Sequence, residues 1–218
     1  MPVNDLLHKI AQPSVNLVAI ADQVAREPGL LPAVFAGLGA DKARTRFGCL
    51  KVLRILSTKN PAVLYPEFDR FVALLDSDNS IFKWGASIII GNLAAVDSEG
   101  RTDRILTRYL QPVTGPALIT AANAVGGAGK IALAKPHLAD RIASALLQVE
   151  SSTYATPECR NVALGHALTA LDLCFERLRD RKKVLALVER QLKNRRPAVR
   201  RKAARFLREH GRAVKPDR

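Results

Sequence analysis

Aromatic residues are scarce in this sequence: they make up 5% of its 218 residues, with a single Trp, and Met also occurs only once. Sheets favour β-branched and aromatic side chains, and no stretch alternates apolar and polar residues long enough to form a strand. Cysteine is almost as rare. Cys49, Cys159 and Cys174 are widely spaced, odd in number and without a Cys-x-x-Cys pair, so neither a zinc cage nor a disulfide framework is encoded. In their apolar surroundings they read as small core residues. The longest apolar run, from Trp84 to Val96, has 13 residues and is interrupted by Gly85, Gly91 and Asn92. A bilayer needs about 20, so this run suits a buried helix. The N-terminal MPVNDLLHKIAQ meets charge within five residues and has no apolar core followed by a cleavage site. The expectation is a soluble, cytoplasmic protein without a secretory signal.

Catalytic motifs are missing as well. His8, His137, His166 and His210 show no His-Glu-x-x-His spacing, and no Gly-x-Ser-x-Gly elbow or Cys/His dyad can be drawn. Gly126-Gly127-Ala128-Gly129-Lys130 imitates a phosphate loop. However, Ala124 stands where the first Gly belongs and Ile131 where Ser or Thr would hold magnesium. The run reads as a glycine-rich helix end. Asp172, on an otherwise apolar helix, is either a general base or a structural partner, and the structural role is the better account. His166 reads as a hydrogen-bonded residue rather than a ligand. No catalytic, cofactor-binding or metal residue is assigned, and no cofactor is expected.

Alanine and leucine abound instead, within 48% hydrophobic and 25% charged residues, the composition of an ordinary soluble helical protein. The formal net charge is +14, and it is unevenly placed. Residues 176–218 carry 17 Lys/Arg against 5 Asp/Glu, while residues 1–175 carry 17 against 15. The basic character belongs to the C-terminal fifth.

Internal repeats organise the chain. KARTRFGCLKVLRIL (42–56) aligns under NSIFKWGASIIIGNL (79–93) at an offset of 37, placing Phe47 on Trp84, Gly48 on Gly85, Cys49 on Ala86 and Leu56 on Leu93. Further copies are PALITAANAVGGAG (116–129), ECRNVALGHALTALDLC (158–174) and AVRRKAARFLREHG (198–211). Each follows another helical stretch: 30–38, 64–75, 101–110, 137–149 and 182–192. Turns rich in Gly, Pro, Asp, Asn and Ser join them, as helix caps require. The alignment of Trp84 with Phe47 favours a repeated core position over an exposed stacking platform. The degraded third copy predicts a soft spot near residues 111–130.

The proline-led helix, Asp-rich turn and Val-Arg-x-x-Ala pattern is present as FKWGA (82–86) and VRRKA (199–203), and more loosely as CRNVA (159–163) and TRFGC (45–49). It resembles the HEAT repeat over roughly residues 28–211. The resemblance implies an all-α fold, a single right-handed α-solenoid (an armadillo-like α-α superhelix) of about five HEAT-like helix pairs. Residues 1–27 would be capping helices, 28–58, 60–96, 101–130, 136–175 and 180–211 the pairs, and 212–218 a flexible basic tail. One pair cannot bury its own apolar face, whereas stacked pairs share a core. The resemblance also implies a ladder in which the turn acid and the basic residue opening the second helix link neighbouring repeats. Asp41 with Arg46 and Asp78 with Lys83 keep that five-residue spacing. Arg160 and Arg200 hold the basic position, Ile119 breaks it in the third copy, and Asn194 replaces the acid in the fifth.

The functional expectation is a non-enzymatic interaction scaffold that binds a partner protein through its concave face or its basic C-terminal end. The residues assigned to that end are Arg195, Arg196, Arg200, Arg201, Lys202, Arg205 and Arg208. Val199, Ala203, Phe206, Leu207 and His210 would form the packed face of the same helix. A polar cap explains charge there, but not why nearly all of it is positive. The alternative is a nucleic-acid-binding protein, more distantly resembling HEAT-like alkylpurine DNA glycosylases. That family's groove holds a catalytic aspartate with nearby tryptophans. Here Trp84 stands alone, and its helix reaches an acid only at Asp97.

Overall fold

In the computed structural model, which describes residues 3–211, every regular element is helical and no strand occurs among the described residues. The α-helices are α1 (Val3–Ile10), α2 (Leu17–Arg26), α3 (Leu31–Ala36), α4 (Ala43–Lys59), α5 (Pro61–Leu64), α6 (Phe68–Leu74) and α7 (Ser80–Leu93). They are followed by α8 (Arg101–Leu110), α9 (Leu118–Ala134), α10 (Ala139–Leu147), α11 (Pro157–Cys174), α12 (Lys182–Gln191) and α13 (Pro197–His210). Single 3-10 turns extend several of them. The segment 212–218, expected to be a flexible basic tail, lies outside the described residues.

Local chemistry sets the starts of these helices. The Asn16 side chain accepts from the backbone N–H of Val18 and Ala19, Asn79 from Ile81, and Thr156 from Cys159, each satisfying N–H groups that a first turn leaves open. Pro opens α5, α11 and α13, where its fixed φ suits the helix and its missing N–H costs nothing. The apolar positions of α9 (Ala121, Ala124, Val125, Ala128, Ile131, Ala132) and α11 (Ala163, Leu164, Ala167, Leu168, Leu171) recur at three and four residues, and all are buried.

The helices group into two compact units, one ending at Asp97 and one beginning at Ser98. In the first, α4 packs on α1, α2 and α7, and α7 on α6. Leu53, Leu56, Leu64, Phe68, Phe71, Ile89 and Ile90 form its core, with Phe35 and Phe71 at 5.6 Å between ring centroids. In the second, α11 lies between α9 and α13, and α12 backs α13. Its core holds Tyr109, Ile142, Leu146, Leu171, Phe175, Leu187 and Phe206, with Phe175 and Phe206 edge-on at 5.1 Å. Each fully buried Leu, Ile or Phe contributes roughly 1.5–3 kcal/mol by leaving water.

Side-chain bonds within each unit repeat at a nearly constant separation in sequence. Lys59 reaches Asp22 over 37 residues and Asn92 reaches Ser57 over 35. Asn194 reaches Asn161 over 33, Arg179 N–H reaches Asp140 over 39, and Arg190 reaches Glu150 over 40.

One stretch differs from the sequence reading, and one loop is closely packed. Gly126–Gly129 is not a helix end: α9 runs on through Ala134. The glycines are there for approach. A Cβ on Gly129 would stand 2.9 Å from Ala170 Cβ and 3.0 Å from its Cα, so α9 and α11 meet backbone to backbone. The 150–157 loop is a strap. Tyr154 is buried in it and donates its hydroxyl to Val113 O at 2.6 Å, and burial pushes the phenol pKa up. Beneath it Gly115 has φ +91°, where a side chain is strained, and a Cβ there would stand 2.6 Å from Thr153 O.

Candidate partner-binding surface

The helix α13 carries five Lys/Arg and one acid, and its Val199, Ala203 and Phe206 are buried against α11 and α12. Its basic side chains and the two arginines leading into it fall into two groups.

The first group serves the fold. Arg196 pairs with Glu158, and its guanidinium, followed by Asn161, holds the Glu158 carboxyl below its ordinary pKa. Arg200 donates to Asn194 O at 2.9 Å and Arg195 O at 3.0 Å, completing the turn before α13. Lys202 reaches over to α11, donating to Gly165 O at 2.7 Å and Thr169 Oγ1 at 2.8 Å. Burial, with Arg205 adding like charge, lowers the Lys202 pKa. Arg205 donates to Asp172 Oδ2 at 2.9 Å. The second group comprises Arg195, Arg201 and Arg208, which are exposed and have no hydrogen-bond or ion-pair partner through their side chains among the described residues.

Asp172 is clasped from both sides. Its Oδ1 is 2.8 Å from His210 Nε2 and its Oδ2 is held by Arg205, with the carboxylate 18% exposed. The His210 ring packs against both Phe175, at 4.5 Å, and Phe206, at 4.7 Å, and its Nδ1 is 3.5 Å from Glu176. Asp172, Glu209 and His210 converge closely enough that their ligand atoms lie within 4.8 Å of one another. Arg205 stands in the same cluster, against Asp172 and 3.8 Å from Glu209, and already supplies the positive charge a cation would bring. The carboxylate flagged by the sequence is therefore a tie between α11 and α13. His166 lies near Lys202; desolvation first and that charge second lower its pKa.

Two of the basic positions expected to form a ladder bind backbone carbonyls. Arg46 donates to the backbone, at 2.9 Å from both Ala40 O and Asp41 O. This is the arrangement of Arg200 one residue for one residue: each arginine binds carbonyls five and six positions upstream, closing its own turn. Side chains of Asp41 and Asp78 are exposed, Lys83 is half-buried and Arg160 is exposed on the first turn of α11. Trp84 and Phe47 are both half-buried, and Phe47 meets Phe82 edge-on at 6.1 Å.

Charge is distributed in a way the sequence reading missed. The helices α4, α7, α9, α11 and α13 together carry 13 Lys/Arg and 3 Asp/Glu. The acids that balance residues 1–175 lie mostly on the other helices and in turns. A count by sequence segment averages the two sets; a count by helix, once its bounds are known, separates them.

No protein-family model and no curated protein matches the chain. Among solved structures, the crystal structure of an engineered protein aligns with 96% of this chain and 89% of its own, with a TM-score of 0.56 and 12% sequence identity. At that identity the likeness concerns the fold alone. No helix among the described residues is long and apolar enough to cross a membrane.

Proposed function

We propose that this chain is a HEAT-like, right-handed α-solenoid acting as a non-enzymatic interaction scaffold, and that its basic C-terminal end binds a partner protein with an acidic surface. The observation that carries the reading is the division among the seven cations of that end. Four hold the fold, whereas Arg195, Arg201 and Arg208 face solvent without a side-chain partner among the described residues. Cations that repel one another along a helix weaken it by tenths of a kcal/mol per pair, and an opposing acidic surface would offset that cost. The repeated bonds across 33–41 residues support the solenoid. The capture of Asp172 by Arg205 and His210 supports a binding rather than a catalytic role.

The nucleic-acid reading keeps one observation in its favour, the 17 Lys/Arg against 5 Asp/Glu in residues 176–218. Both readings are tested by titrating the full chain, and an Arg195→Glu/Arg201→Glu/Arg208→Glu variant, with labelled oligonucleotides and with a labelled polyglutamate. Saturable polyglutamate binding that the variant loses, with no comparable oligonucleotide binding, supports the protein partner. Oligonucleotide binding with a steep salt dependence, lost in the variant, replaces it with the nucleic-acid reading. If neither probe binds at low salt, the basic end is only a cap.

A further inference from the structure

The first unit presents a second basic surface, independent of α13. Its two long neighbouring helices, α4 and α7, carry six Lys/Arg and no Asp/Glu. Between them lies a cleft of about 330 Å³ lined by Lys51, Arg54, Ile55, Thr58, Lys59 and Ile88. Lys51 also borders a cleft of about 340 Å³ that includes Arg44 and Phe47. No acidic side chain lines either one.

One of the cations here is used by the fold and three are not. Lys59 is paired with Asp22 at 2.6 Å. Arg44, Lys51 and Arg54 are exposed and without a side-chain hydrogen-bond or ion-pair partner among the described residues. They lie on one stripe of α4, at spacings of seven and three residues, where like charges repel. The floor between them is aliphatic: Ile55 and Ile88 are half-buried. One end is fixed by Asn92, whose amide donates to Ser57 Oγ at 2.8 Å and Thr58 Oγ1 at 3.1 Å, locking α7 to α4.

That chemistry selects among anions. Nucleic-acid strands are held sequence-independently by cations combined with aromatic faces on which bases stack; the floor of the α4–α7 cleft has none, and the adjoining cleft has Phe47 alone. A small aliphatic floor rimmed by unpaired cations instead complements a polypeptide in which Asp or Glu flanks Leu or Ile. We propose that the α4–α7 cleft docks an acidic, aliphatic peptide segment of a partner protein. The aliphatic side chain sits on Ile55 and Ile88, and the carboxylates meet Arg54 and Lys51, with Arg44 extending the track. Seven residues of α4 span about 10 Å. That matches carboxylates seven residues apart in a helical peptide or three apart in an extended one.

The test is fluorescence anisotropy with the full chain and a labelled peptide that alternates Glu pairs with Leu pairs at helical spacing. Expected is saturable, salt-sensitive binding, weakened roughly tenfold or more by Lys51→Glu/Arg54→Glu and by replacing the peptide's Leu with Ser. An Arg201→Glu/Arg208→Glu variant should keep the Leu-dependent part of the binding, which separates this cleft from the α13 surface. Far-UV circular dichroism verifies that the variants are folded. Backbone chemical-shift changes on the unmutated protein, expected at residues 51–59 and 84–92, give a readout that needs no variant. The proposal is overturned if the peptide fails to bind, if the α13 variant rather than the α4 variant loses it, or if the shifts map elsewhere. It is also overturned if oligouridylate or oligothymidylate occupies the cleft more tightly than the peptide, or if a second copy of the chain does.

Discussion

Replacing Gly129 and Gly126 by Ala in turn tests the central packing of the second unit, because the same chemical change should have opposite signs three residues apart in one helix. In both positions Ala is a better helix former than Gly by about 1 kcal/mol. At Gly126 nothing lies within 4 Å of the added Cβ, so that gain is uncompensated. At Gly129 the Cβ would lie 2.9 Å from Ala170 Cβ and 3.1 Å from Ala170 O. Carbon atoms pack best at about 3.5–4.0 Å. Relief therefore requires α9 and α11 to separate by a substantial fraction of an ångström, because the obstacle is backbone and Cβ rather than a side chain that can swing away. Overpacking of this kind costs about 1–3 kcal/mol. After the propensity gain, Gly129→Ala should be less stable than wild type by about 1 kcal/mol, and Gly126→Ala more stable by up to about 1 kcal/mol. For a chain of this size the thermal midpoints should move by about 2–4 °C in opposite directions. Urea titrations followed by far-UV circular dichroism would give the same ordering at unchanged slope. If Gly129→Ala stabilises the protein as much as Gly126→Ala does, the close contact between α9 and α11 is wrong.

Two other expectations follow from buried chemistry. Cys49 and Cys174 are fully buried, and burial pushes both thiols up to about 11, whereas Cys159 is half-exposed. A thiol reagent at neutral pH should label one site per native chain, identified as Cys159 by mass spectrometry, and all three in denaturant; labelling of Cys49 or Cys174 in the native state would contradict the packing. Asp103 lies beside His137 and Lys135. Burial raises its pKa, but hydrogen bonds from His137 and Lys135 and their charges outweigh this and hold it below the ordinary carboxylate value. Because the folded-state pKa is the lower one, this contribution is present above about pH 4 and disappears as pH falls through the folded value. The stability gap between wild type and Asp103→Asn should therefore narrow as pH falls below about 4 in urea titrations; a gap independent of pH would count against the assignment.

What the sequence determined is local. The 3.6-residue spacing of Ala163, Leu164, Ala167, Leu168 and Leu171, the Asn and Thr caps and the Pro starts suffice to place the long helices. The stretch 101–110 is α8 to the residue, and 79–93 and 158–174 lie within one residue of α7 and α11 at each end. Small residues at 48 and 85 recur at the same place in the repeat, but only the tertiary structure supplied what approaches them, Ile10 and Leu50. Gly129 reads as a helix end until Ala170 is seen against it, because a glycine that ends a helix and one that admits a neighbouring backbone look alike in one dimension. The long loop 150–157 gave no sign that Tyr154 would bury itself against Val113, since a hydrogen bond across 41 residues leaves no local pattern.

The candidate sites divide the same way. Seven cations in and before α13 were visible as composition; which of them are free was not, because Arg196, Arg200, Lys202 and Arg205 are occupied by Glu158, turn carbonyls, Gly165 and Asp172. The cleft on α4 and α7 was hidden by a near-neutral charge count, since residues 1–175 add up to little net charge while their acids and bases sit on different helices. Net charge is additive along a chain. A binding surface depends on which charges share a face, and that is decided only when helices from distant segments pack side by side.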